Sequence, residues 1–166
     1  MIDFTVPGDP KPEKKRQRIF KRKGGLPVIG SRTDEPEQKD FKARLALFAL
    51  EAGARPVAGP LRVTIIVYRP QPATYPKRPT KSKPWPWAWI SRPDRTNFEK
   101  IVEDALNGIC WLDDAQIIDG VTLKRWGEPG VRVIVEELAG ESDALPVDRP
   151  QAPLQAAMTG QGRLVV

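Results

Sequence analysis

SRPDRTNFEKIVEDALNGICWLDDAQIIDG, residues 91–120, is the stretch around which the rest of the chain is arranged. It reads as a turn, a helix, a second turn and the start of a strand. Phe98, Ile101, Val102, Ala105 and Ile109 recur at helical spacing and form one apolar stripe. The helix is expected to begin near Asn97, with Thr96-Asn97-Phe98-Glu99 as a capping box in which the Thr96 hydroxyl accepts a backbone N–H and Glu99 reaches back. Gly108 is its expected stop. Thr96, Lys100, Glu103 and Asn107 then share the opposite face, with Asp104 at its edge. Asp94 sits in a turn after Pro93, and Asp113-Asp114 follow Trp111-Leu112.

This carboxylate set lies in a basic chain, with 27 Lys and Arg against 21 Asp and Glu, a net charge of +6. Such a balance favours an anionic partner. Acidic side chains repel a phosphate backbone, so the simplest reason to aim them at nucleic acid is to hold a divalent cation there. Asp94 and Asp114 are the best ligands, on turns at either side of the helix where a fold can bring them together, with Asp113 a close second. Lys100, one turn after Thr96, suits fixed positive charge near a phosphate. The chain has no histidine, which excludes Cys/His zinc fingers, His-activated nucleophiles and His-metal nucleases. Oxygen ligands suit Mg²⁺, with Mn²⁺ as the alternative. Singly, each residue has a bland reading: Asp94 as a helix cap, Asp113-Asp114 as an ordinary turn, Lys100 and Glu103 as a solvated face. Their order and spacing together favour a site.

Pro93-Asp94-Arg95-Thr96-Asn97-Phe98-Glu99-Lys100, then Asp104-Ala105-Leu106, then Trp111-Leu112-Asp113-Asp114-Ala115-Gln116, resembles the pattern P-D-x-D-N-x-x-K, D-A-L, W-x-D-D-x-Q of the RusA family of Holliday junction resolvases. The resemblance is specific over Pro93–Gln116 and extends in outline over Met1–Leu138. It implies a small mixed α/β fold, a homodimer, catalytic roles for Asp94, Lys100 and Asp114, and Mg²⁺-dependent cutting of branched DNA by paired symmetric nicks. It also implies recombination or repair, often with a phage or prophage origin. One position departs, since Thr96 stands where the family carries an Asp. A neutral hydroxyl is a poor Mg²⁺ ligand. Three readings stay open. Glu103, or else Asp104 or Glu99, substitutes as a metal ligand; the ion keeps more water; or the protein binds branched DNA and cuts it poorly. A weaker reading is a basic RNA-binding protein.

At 166 residues one domain is expected, with no apolar run approaching the ~20 residues of a membrane span. One cysteine, Cys110, excludes an internal disulfide and, with an N-terminus unlike a signal peptide, fits the cytoplasm. Met1–Val6 reads as a strand with Ile2, Phe4 and Val6 on one face. Residues 10–25 carry Lys14, Lys15, Arg16, Arg18, Lys21, Arg22 and Lys23, a DNA-binding arm or long hairpin with Arg18–Lys21 as a short strand, or else a solvated loop. A helix is expected from about Glu35 to Ala52, capped by Asp34 or Thr33, with Phe41, Leu45, Phe48 and Ala52 as its stripe. Leu61–Tyr68 reads as a central strand.

Residues 69–93 form a long proline-rich excursion with Lys77, Arg78, Lys81, Lys83 and Arg92 as candidate DNA contacts. Trp85, Trp87 and Trp89 alternate inside it, either to stack on unpaired bases or to anchor the loop on the core or a partner subunit. Gln116–Trp126 reads as a strand marked by Ile117, Val121 and Leu123, and Val131–Glu137 as the last. The expected fold is α+β: a small mixed sheet of about four strands with two helices over residues 1–138, then a mobile tail over 139–166.

Overall fold

The computed structural model describes residues 1–13 and 35–139, together with the backbone of two short strands at 19–20 and 28–29. Six strands and two helices follow in order: β1 (Ile2–Pro7), β2 (Ile19–Phe20), β3 (Val28–Ile29), α1 (Pro36–Glu51), β4 (Leu61–Arg69), α2 (Arg95–Leu106), β5 (Ile117–Trp126) and β6 (Gly130–Glu137). A 3-10 turn, Asp114–Gln116, leads into β5. β1, β6, β4 and β5 form one sheet in that order, and the fold class is the expected α+β. β4 runs antiparallel to β6 and parallel to β5, so β4, α2 and β5 make a crossover unit. Such a unit lays the start of its helix beside the carboxyl ends of its two strands.

Alternation decides the strands. Leu61, Val63, Ile65 and Val67 of β4, Val131, Val133 and Val135 of β6, and Phe4 and Val6 of β1 are all buried on the face that the helices cover. β2 and β3 pair antiparallel, Ile19 with Ile29 and Phe20 with Val28. The basic side chains Lys14, Lys15, Arg16, Arg18, Lys21, Arg22 and Lys23 lie outside the described residues, as does the tail from residue 140 on.

Five local expectations are corrected. α1 is capped by Glu35, whose N–H donates to Gln38 Oε1 (3.1 Å). Its buried row is Gln38, Phe41, Leu45 and Ala49, steps of three, four and four that put Ala49 in the place expected of Ala52. The first turn of α2 begins at Arg95 with Asp94 as N-cap, so Thr96 lies inside the helix and forms no cap. α2 ends at Leu106, which takes the buried place expected of Ile109. In β5 a bulge at Ile118 shifts the register between Leu61–Ile117 and Arg62–Asp119. Beyond it the helix-facing row is Gly120, Thr122, Lys124 and Trp126, opposite Val63, Ile65, Val67 and Arg69, while Val121 and Leu123 fall in the other row.

Candidate active site

Residues 70–94 form no regular element, yet their base is firmly held. Trp89 is buried and stacks on Trp126 with ring centroids 5.5 Å apart and planes at 21°. It also meets Phe98 edge-on at 5.8 Å. The Arg69 guanidinium and the Lys124 ammonium lie 5.5 and 4.6 Å from the Trp89 ring centre. Tyr75 packs on Trp126 at 5.5 Å and carries Lys83 over its own ring at 4.3 Å. The tryptophans therefore divide. Trp89 is the anchor, whereas Trp85 and Trp87 stay 53% and 76% exposed. Lys77, Arg78, Lys81 and Arg92 are exposed beside them.

Beyond this anchor lies a cleft of about 650 Å³ between the loop, the start of α2 and the end of β5. Asp94, Thr96, Trp87, Trp89, Thr122 and Lys124 line it. Asp94 holds the N-cap position with extended backbone, but its carboxylate makes no cap hydrogen bond. A bland capping role is thereby removed, and an exposed carboxylate faces the cleft. Lys124 donates to Ser91 O (2.6 Å) and Pro93 O (2.8 Å). Burial lowers the pKa of its ammonium and nearby Arg69 adds to this, while Asp94 opposes both. Arg95 also lines the cleft and pairs with Glu99 at 3.5 Å.

Asp113 and Asp114 lie at the other end of α2. Gln116 fixes their turn. Its Oε1 accepts from the N–H groups of Leu112 (2.8 Å) and Asp113 (3.0 Å), and its Nε2 donates to Val57 O (3.0 Å) and Gly59 O (2.9 Å). Trp111 is fully buried beneath. The Asp113 carboxylate accepts from Ala115 N–H (2.9 Å) as the cap of the 3-10 turn, while Asp114 is exposed. Glu103 faces this end. Its pKa is raised first by burial, then by the charges of Glu99, Asp114 and Asp104, with Lys100 pulling it down. Asp104 pairs across to Lys42 of α1 at 3.4 Å. Lys100 is exposed on the helix between the two ends.

The carboxylates thus form two groups, Asp94 at one end of α2 and Asp114 with Glu103 at the other. Asp94 immediately precedes α2, whereas Glu103, within electrostatic reach of Asp114, lies in its last turn. Among the described residues no three Asp, Glu, Cys or His gather closely enough to hold a metal. A lone exposed carboxylate in an open cleft still suits Mg²⁺, which keeps several waters and takes one or two protein carboxylates with substrate oxygens.

Two residues of this region escaped the sequence reading. Lys124 was hidden inside a strand marked by its apolar residues. Glu13 is buried, and its N–H donates to Asn97 O of α2 (2.8 Å). Cys110 is buried with a free thiol, pushed up to about 11 by desolvation. Among the described residues no helix is long and apolar enough to cross a membrane.

A sequence model described as endodeoxyribonuclease RusA matches residues 7–136. The chain is also similar to the protein named "Uncharacterized protein YqaN" of Bacillus subtilis (strain 168). The two are 32% identical over 145 residues, covering 83% of this chain and 97% of that protein.

Proposed function

We propose, from the premise that this chain belongs to the RusA family of endodeoxyribonucleases, that it is a Mg²⁺-dependent nuclease resolving four-way or other branched DNA by paired nicks. The observation that carries the reading is the Asp94 turn: a carboxylate at a helix N-cap, released from capping and opening on a cleft beside the exposed Trp87. In this reading Asp94 and Asp114 hold the cation, with Mn²⁺ as an alternative ion. When bound, such an ion supplies a nucleophilic water at neutral pH and neutralises charge on the scissile phosphate. Lys100 adds fixed positive charge on the exposed face of α2, where charge develops on the phosphate. Glu103 stands with Asp114 as the acid that offsets the missing family Asp at Thr96. Trp85 and Trp87 stack on unpaired bases, while Lys77, Arg78, Lys81, Arg92 and the basic hairpin hold phosphates. Trp89 has no part in stacking, because its faces are already covered by Trp126 and two cations.

The helix that separates Asp94 from Asp114 gives the dimer a mechanistic reason. In this reading the two carboxylates that meet at one phosphate come from different chains. A two-fold pair then carries two equivalent sites, as symmetric cutting of a junction requires. The working unit in this reading spans residues 1–138, and 139–166 form a tail outside it.

Thr96 and the lack of a gathered carboxylate set within the described chain also favour a second reading, a branched-DNA-binding protein with weak cutting. A synthetic mobile four-way junction with Mg²⁺, compared with linear duplex, separates the two. Paired nicks in the parent, lost in Asp94→Asn and kept or raised in Thr96→Asp, are the expected result. Tight junction binding with no nicks in Mg²⁺ or Mn²⁺ would select the second reading.

A further inference from the structure

Lys124 occupies a place where the sheet's own pattern calls for an apolar side chain. It lies in the helix-facing row, opposite Val67, and the equivalent rows of β4 and β6 hold Val63, Ile65, Val131 and Val133, all buried. A cation in that row loses hydration and stays only where donors are matched to acceptors. The match is to backbone: the carbonyls of Ser91 and Pro93, at 2.6 and 2.8 Å. Pro93 immediately precedes Asp94 and Ser91 is two residues earlier. An ammonium has three donors and no acceptor. Two are used on these carbonyls, and the Nζ sits 4.6 Å from the Trp89 ring centre. Little donor capacity is left for a phosphate.

We infer that Lys124 is the positioning residue of the site: its ammonium ties edge strand β5 to the 91–93 turn and thereby aims the Asp94 carboxylate into the cleft. The inference rests on the reading of Asp94 as a metal ligand. Arginine would serve poorly, since a planar fork cannot place its donors as a compact ammonium does. Methionine keeps the length and leaves both carbonyls without a donor.

The test compares the parent with Lys124→Met in two measurements, neither of which needs DNA cleavage. In metal-free buffer, amide hydrogen exchange over residues 90–98 is expected to quicken about tenfold, the factor for losing roughly 1.4 kcal/mol of local tie. Exchange in the β4 ladder at Val63–Val67 should stay as in the parent. In a Tb³⁺ titration read by luminescence sensitised through the cleft tryptophans, the half-saturating concentration should rise at least about fivefold, as for loss of a supporting partner of a ligand. Unchanged exchange over 90–98, or equal quickening across the whole sheet, overturns the inference. Faster exchange with an unmoved Tb³⁺ midpoint overturns it too, since the turn would then be held without consequence for the site. If the methionine variant does not fold, Lys124→Gln, with a neutral amide donor, is expected to fall between the two in both measurements; parent-like values there overturn the inference. A parent that binds Tb³⁺ but never nicks a junction would sink the nuclease reading while these two measurements still decide Lys124.

Discussion

If Asp94 and Asp114 act on one phosphate, two crippled chains should rescue each other. Oxygens bound to one Mg²⁺ lie about 2.0–2.1 Å from it, hence within about 4 Å of one another. Within one chain Asp94 stands at the start of α2, and Glu103, which feels the charge of Asp114, is nine residues further along it, about 14 Å along the axis. In this reading the helix keeps them apart within one chain, since unwinding α2 would expose Phe98, Ile101, Val102 and Leu106, all fully buried. In a two-fold dimer each site would take Asp94 from one chain and Asp114 from the other. Asp94→Asn and Asp114→Asn chains, separately tagged and mixed by co-expression, assort into about one quarter, one half and one quarter of the three dimers. In the mixed dimer one site has lost both aspartates and the other has kept both. Nicking of a four-way junction should therefore return to about a quarter of the parent rate per chain, from about half of the dimers with one of two sites intact. The products should be singly nicked junctions, because the mixed dimer cannot make the second, symmetric cut. Each variant alone should stay at background. A mixture no more active than either variant would refute the shared site. Paired nicks from the mixture would refute the geometry of one intact site per mixed dimer.

Two further outcomes test the ends of α2. Gln116→Ala removes four hydrogen bonds that clamp the Asp113-Asp114 turn to the Val57–Gly59 segment; urea unfolding should show a loss of about 1–3 kcal/mol, and a loss within error would mean the clamp is idle. Glu103 has a folded pKa above its ordinary value of 4.5, so the folded protein holds that proton more tightly and is penalised when the group ionises. The penalty is absent below 4.5, grows as pH rises through the raised pKa and is complete above it. Glu103→Gln should accordingly raise the thermal midpoint at pH 7–8 and change it little near pH 4; a gain that is the same at both pH values would remove the electrostatic explanation.

The strands of the main sheet were legible in the sequence because of their alternation. Leu61, Val63, Ile65 and Val67 could be assigned to a core by alternation alone. Helix stripes were legible for the same reason at Phe41 and Leu45, but the expected Ala52 gave way to Ala49 one step earlier. The motif fixed the aspartates in order along the chain, but order does not give distance. Only the crossover β4–α2–β5 reveals which end of the helix each one stands beside. Thr96 misled through local chemistry: a hydroxyl three residues before a glutamate is a good cap, yet the chain turns at Asp94 and enters the helix earlier. Lys124 was hidden by a single bulge. Val121 and Leu123 alternate well enough to mark an inward row, and that row would put Lys124 in solvent. The extra residue at Ile118 reverses the assignment and turns Thr122 and Lys124 toward α2. A reader who also knew that parallel strands deliver their carboxyl ends to the start of the crossover helix would have asked what Thr122 and Lys124 do there. Polar residues in an inward row at such an end need a partner, and here the partner is the turn that carries Asp94. The departure from apolar alternation is therefore itself a site signal. It is readable only once the bulge has set the parity.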